Sequence, residues 1–168
     1  MILLSLRNAI IIGEGAYGTV YVIEKKRFAL KKIFLQSEEF VVIYRTEIES
    51  LQKFKHRNII NLIDYIECDE NNSKVAFLLF PFMERGSLRN QLDKRLPNHV
   101  PNIKTILILF VEMCSAFKVL HNYSPSYVHQ DIKPENVMID GEGKPVLIDF
   151  GSVRLAEVEI ASRNKVKL

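Results

Sequence analysis

Residues 10–13, 18–23 and 28–34 are runs rich in β-branched and aromatic side chains, separated only by the short segments 14–17 and 24–27. Runs of this kind with short links predict an antiparallel three-strand meander. Over 38–54 the period changes. Val41, Tyr44, Ile48, Leu51 and Phe54 recur at helical spacing, and Ser37 ahead of two acids marks a start. Residues 62–67 and 75–80 read as two further strands around a polar turn at 69–73. The order β-β-β-α-β-β predicts a small sheet with one helix packed on it.

From Gly86 onward the pattern is mainly helical. Residues 87–95 predict a short helix with Ser87 as its cap. Residues 97–101 read as a linker, and 102–122 as a long helix. That helix is apolar at Ile103, Ile106, Leu107, Leu109, Phe110, Met113, Ala116, Phe117 and Leu120. More than one stripe is covered, so burial on most faces is expected. Residues 137–139 and 146–148 flank Asp140-Gly141-Glu142-Gly143, which predicts a hairpin. The chain has no internal repeats.

Composition narrows the function classes. With 168 residues, 48% of them hydrophobic, the chain can bury a core and is not a disordered tail. The net charge is only +3 and the basic residues are scattered, so no nucleic-acid partner is expected. Cys68 and Cys114 lie far apart, without metal spacing or a disulfide framework. Two reduced, partly buried thiols in an intracellular, cytoplasmic protein are expected. The apolar N-terminal stretch is too short for a signal peptide. The apolar run 106–111 meets Glu112 and is not expected to span a bilayer. Residue 2 is Ile, so N-myristoylation is not expected.

Several segments carry chemistry. Gly13-Glu14-Gly15-Ala16-Tyr17-Gly18-Thr19-Val20 has glycines that let backbone approach a phosphate. A strand follows it, not a helix, which argues against a dinucleotide site resting on a helix N-terminus. In a twisted hairpin, Ala29 and Lys31 share a face with Val20, while Lys32 points away. Val20 and Ala29 could then roof a flat base, with Lys31 reaching toward phosphates. Glu47 shares a helix face with Tyr44 and Ile48, and an inward carboxylate needs a cationic partner such as Lys31. Glu49 is the competing choice. Asp131, Lys133 and Asn136 lie within one short loop. They could orient a hydroxyl proton, neutralise a phosphoryl group and offer oxygen to Mg²⁺. Asp149 ends the apolar run 146–148, where a plain surface carboxylate is out of place.

In order and spacing, from Ile12 to Gly151, these segments resemble the protein kinases, with Asp149-Phe150-Gly151 closing the series. The resemblance implies an α+β, bilobal protein-kinase-like fold. A five-stranded antiparallel N-lobe sheet with one helix (1–80) would join, through a hinge (81–85), a mainly helical C-lobe (86–168). It implies ATP and Mg²⁺ as cofactors. ATP would be bound by Ile12, Gly13, Glu14, Gly15, Ala16, Tyr17, Gly18, Val20, Ala29, Lys31, Pro81 and Met83. Asn136 and Asp149 would hold the metal. Asp131, Lys133, Lys31 and Glu47 would form the catalytic set. The turn His56-Arg57-Asn58-Ile59-Ile60 is similar to the family's H-x-N-I turn, which selects Glu47 over Glu49. Phe80 aligns with the gatekeeper. Leu51, Leu62, His129 and Phe150 align with the hydrophobic stack that joins the lobes. Lys133, two residues after Asp131, implies serine or threonine acceptors on a protein substrate. Segments 78–88 and 143–153 are similar to the Numb-associated group, in particular its Golgi-associated acylated kinases. Golgi or other endomembrane association would follow from that likeness alone.

Two departures qualify these expectations. Gln130 stands where many kinases carry the arginine that receives an activation-loop phosphate, so activity independent of that phosphorylation is expected. The sequence also ends at Leu168, before an A-P-E-like motif. An incomplete C-lobe is therefore expected, without its peptide-substrate platform. The competing function is an inactive ATP-binding or scaffolding module. Retention of every catalytic position argues against it.

Overall fold

The computed structural model describes residues 9–15, 18–23, 27–94 and 102–156. Strands β1 (Ile10–Gly15), β2 (Gly18–Ile23), β3 (Phe28–Phe34), β4 (Asp64–Glu70) and β5 (Ser73–Pro81) form one sheet in the order β1-β2-β3-β5-β4. Each neighbouring pair is antiparallel. β4 starts two residues later than the apolar pattern suggests, and both it and β5 run further toward their shared turn. The reason is Asn71-Asn72, whose φ angles of 50° and 63° build a two-residue hairpin turn. Asparagine tolerates that left-handed backbone, so the ladder can extend through Glu70 and Ser73.

β5 is buried from Val75 to Phe80 because both of its faces are covered. Val75, Phe77 and Leu79 pack with Ile23 and Leu30 on one side. Ala76, Leu78 and Phe80 pack on the other, with Tyr44, Ile48 and Leu51 of helix α1 (Glu38–Lys53). The Ser37 hydroxyl caps α1 by accepting from the Phe40 N–H at 3.3 Å. Glu47 lies on the same buried face as its apolar neighbours.

Beyond β5, helix α2 (Leu88–Asp93) opens on a capping box between Ser87 and Asn90. Helix α3 spans Ile103–His121. β7 (Val137–Ile139) pairs with β8 (Pro145–Leu147), as the hairpin pattern predicts. β6 (Tyr127–Val128) pairs with β9 (Arg154–Leu155). This second pair has no sequence signal, since two residues cannot display a period. One apolar core, including Ile33, Leu51, Ala116, Leu147 and Phe150, joins the sheet to this second part. Backbone bonds Ile60 N–H to Leu147 O (2.9 Å) and Leu147 N–H to Asn58 O (2.8 Å) reinforce the junction.

The expected burial of α3 on most faces needs correction. Only Ala116 and Leu120 are buried, whereas Ile103, Ile106, Leu107, Phe110 and Val111 are exposed. Among the described residues α3 packs chiefly along one side, against β6 and β8. No described helix is long and apolar enough to cross a membrane. The linker at 97–101, the residue Arg95 and most of the turn at 24–27 lie outside the described residues.

Candidate active site

The site forms where the sheet, α1 and the segments after β6 and β8 converge. In the β2–β3 ladder Val20 faces Lys31 and Val22 faces Ala29. Period two therefore puts Val20, Ala29 and Lys31 on one face. Met138 of β7 and Ile148, just after β8, oppose that face across an apolar slot of about 250 Å³. Ile12, Val20, Ala29, Lys31, Pro81 and Met83, all expected nucleotide contacts, line it. Glu47 and the expected gatekeeper Phe80 line it too, whereas Leu62 packs against the core away from it. Among the described residues Gly13, Glu14 and Gly18 do not line the slot; they lie in the β1–β2 hairpin, where Gly15 pairs with Gly18 next to the turn. Gly18 is there because a Cβ would sit 1.8 Å from the Lys32 carbonyl oxygen. Ala16 and Tyr17 lie outside the described residues.

Ile60, Phe82, Met138 and Ile148 also line the slot, although none of them is an expected nucleotide contact. Val137 and Ile139 are buried and alternation turns Met138 to the opposite face, but three apolar residues in a row give no sequence sign of which side faces the slot. At the edge of the slot the Phe82 N–H donates to Arg27 O at 3.1 Å, and Met83 O accepts from Gly86 at 3.1 Å. The Met83 N–H remains as a backbone donor beside the slot.

A charged cluster closes the slot. Lys31 Nζ donates to both Glu47 carboxylate oxygens, at 2.8 and 2.7 Å, and to Asp149 Oδ1 at 3.3 Å. Burial pulls the Lys31 ammonium down, but Glu47 and Asp149 outweigh it and its pKa rises. Burial lifts the Glu47 carboxyl above its ordinary range, and the Lys31 charge offsets this only in part. The Glu47 side chain is 2% exposed and that of Asp149 40%. Glu47 is thus committed to Lys31, while Asp149 can meet a ligand. Asp149 takes a left-handed backbone, φ 62° and ψ 75°, which Asp tolerates better than most residues.

Lys31 and Asp149 also border a second, polar cavity of about 430 Å³ lined by Gln130, Asp131 and Lys133. Lys133 Nζ donates to Asp131 Oδ2 at 2.7 Å. Asn136 Nδ2 donates to Asp131 O at 2.9 Å and Asp131 Oδ2 at 2.8 Å. The Lys133 contact, aided by Asn136, holds the Asp131 carboxyl below its usual range, and Lys133 rises in turn. Asp131 is therefore ionised and accepting at neutral pH. Because the Asn136 amide nitrogen is turned to Asp131, its oxygen is left as the free donor. Among the described residues no three His, Cys, Asp or Glu side chains form a metal cage. One carboxylate and one amide oxygen instead suit Mg²⁺, which is usually shared with substrate phosphates. The donor set fits that ion.

His129 links the loops. Its Nε2 lies 3.2 Å from Ile148 O, its Nδ1 accepts from the Asp131 N–H at 3.4 Å, and its ring packs edge-on to Phe150 at 5.0 Å. This pairing suits the neutral Nε2–H tautomer, since a proton on Nδ1 would face an N–H donor. Burial lowers the His129 pKa from its usual 6.5. The folded chain then binds this proton less readily than the unfolded chain. Stability is expected to hold above about pH 6.5 and to fall as the pH drops from there toward the folded value. Urea melts from pH 7.5 to 5.5 check the fall, and an NMR titration of the ring should place its midpoint below 6.5.

The sequence matches the family described as "Protein kinase domain" over residues 6–166. It is 32% identical over 147 residues to a Dictyostelium discoideum protein named a probable serine/threonine-protein kinase, covering 80% of this chain and 40% of that one. It is 29% identical over 154 residues to rat (Rattus norvegicus) serine/threonine-protein kinase 16, covering 89% and 50% respectively. It is 35% identical over 158 residues to the LRR receptor-like serine/threonine-protein kinase FEI 2 of Arabidopsis thaliana, covering 92% and 26%. The chain spans half or less of the length of these relatives. By this match and this fold, it belongs to the protein kinase domain family.

Proposed function

We infer that the chain transfers the γ-phosphoryl group of Mg·ATP to serine or threonine hydroxyls of a protein substrate. The observation that carries this reading is the Lys31–Glu47–Asp149 cluster, which joins the apolar slot to the cavity containing Asp131. A flat base fits between Val20 and Ala29 on one side and Met138 and Ile148 on the other. The Met83 N–H and the Pro81 carbonyl are the backbone groups available to its edge; Pro81 has no N–H to offer. Lys31, fixed by Glu47, directs a positive charge at the phosphates. Asp149 and the Asn136 oxygen would hold Mg²⁺. That ion, when bound, neutralises phosphate charge. Asp131 accepts a hydrogen bond from the incoming hydroxyl and aims its oxygen. Its lowered pKa makes it an orienting group more than a strong base. Lys133 sits beside it to meet charge on the moving phosphoryl group.

The division into an N-lobe to residue 80, a hinge at 81–85 and a C-lobe from 86 accords with this reading. Gln130 lines the polar cavity without a charge, which supports transfer that needs no activation-loop phosphate. The likeness to Golgi-associated acylated kinases rests on segments 78–88 and 143–153. Both cysteines are free; Cys68 is half-buried as expected, whereas Cys114 is exposed.

Asp131→Asn tests the reading. With a serine/threonine peptide library and radiolabelled ATP, transfer should fall by about a hundredfold or more, while Mg·ATP affinity is retained. Equal labelling by the variant, or labelling of tyrosine peptides only, would contradict it.

A further inference from the structure

The last turn of α1 carries a cation set among three aromatic rings. Lys53 Nζ donates to the Tyr127 hydroxyl at 2.8 Å. It lies 4.5 Å from the Tyr127 ring centroid, 5.4 Å from that of Tyr123 and 5.9 Å from that of Phe54. All three distances fall within cation–π range. The rings also pack edge to face on one another, with centroids 5.3 to 5.8 Å apart. The phenol contact raises the Lys53 pKa, so the charge persists. None of these groups lines the nucleotide slot.

Their places in the chain give the cluster a task. Lys53 ends α1, Tyr123 follows α3 and Tyr127 opens β6. β6 leads directly to His129 and Asp131. Its partner β9, with Leu155 opposite Tyr127, follows the Asp149–Gly151 segment. One ammonium therefore ties the helix bearing Glu47 to β6, and the β6–β9 pairing carries that tie on toward both loops of the site. Nearer the start of α1, Gly151 approaches Ile43 so closely that a Cβ would lie 2.6 Å from Ile43 Cγ2. The helix is held near both ends, and Glu47 lies between the two points.

We propose that Lys53 is a positioning residue: held by Tyr123, Tyr127 and Phe54, it clamps α1 against β6 and keeps Glu47 within reach of Lys31. The effect on nucleotide binding rests on the function inferred above; the clamp itself does not. Lys53→Met keeps the stem and loses the charge. Lys53→Arg keeps both charge and donors. Tyr127→Leu removes the ring and phenol without touching the helix end, so it separates the clamp from the favourable placement of a cation at a helix C-terminus.

Amide hydrogen exchange of segments 38–53 and 75–80, with Mg·ATP affinity, is read on the 168-residue chain. In Lys53→Met and Tyr127→Leu, exchange across 38–53 should quicken about two- to fivefold, with 75–80 unchanged and Mg·ATP bound correspondingly more weakly. Lys53→Arg should restore both. Unchanged exchange across 38–53 in either variant would overturn the clamp. So would an equal rise in 75–80, which marks general loss of stability. If the unaltered chain fails to bind Mg·ATP, the inferred function fails, while the exchange comparison still decides the clamp.

Discussion

Asp149→Asn is expected to lower phosphoryl transfer by about a hundredfold or more while leaving the folded chain as stable as before. The two effects separate because of where Asp149 stands. Its side chain is 40% exposed, and its protein contact is a 3.3 Å bond to a lysine that already holds Glu47 with two shorter ones. Removing its charge therefore strands nothing. Asparagine also tolerates the left-handed backbone at φ 62°. Alanine there would add backbone strain of about 1 kcal/mol and blur the result. What asparagine lacks is the anionic oxygen proposed to hold Mg²⁺. Peptide labelling and urea melts on the same preparation check the prediction. Lost stability, or full labelling, would count against the assigned role.

Lys31→Met should abolish transfer and, unlike Asp149→Asn, should also cost about 3 kcal/mol of stability. Glu47 is buried to 2% exposure and receives both bonds of the pair, so the substitution leaves a carboxylate without its cation. Lys31 keeps a quarter of its side-chain exposure, which places the cost at the lower end for a buried pair. The double variant Lys31→Met/Glu47→Leu removes both charges and fills the space with apolar atoms. Its stability should return to near that of the unaltered chain, as paired removal of buried ions commonly allows. Its transfer should remain absent. Recovery of both together would mean that the pair has no role at the phosphates. Urea melts with peptide labelling separate these outcomes.

The elements legible in the sequence are those whose pattern is local and repeated. Tyr44, Ile48 and Leu51 announce α1, and Glu47 shares their face, but only the likeness of residues 56–60 to the H-x-N-I turn selects it over Glu49. The β2–β3 face follows from period two, so the sequence alone groups Val20, Ala29 and Lys31. The loop carrying Asp131, Lys133 and Asn136 is legible because its chemistry lies within six consecutive residues. Elements set by distant partners are less so. β6 and β9 are two residues each and exist only because they meet each other. The turn at Asn71-Asn72 depends on backbone geometry that hydropathy does not report. For α3 the apolar count predicted burial, but burial depends on what packs against a helix, and few described residues do. The cluster around Lys53 draws on three separate segments, and no sequence period links them.

The apolar slot and the charged cluster beside it are together proposed to hold Mg·ATP. Thermal unfolding of the 168-residue chain with ATP, with and without Mg²⁺, measures this most directly. At ligand about a hundredfold above its dissociation constant, binding adds about 2.7 kcal/mol, a rise of about 5–10 °C for a chain of this size. That rise should appear with Mg·ATP and shrink sharply when EDTA removes the metal. An unchanged melting temperature at millimolar Mg·ATP, or a rise indifferent to EDTA, would mean that this site does not hold Mg·ATP.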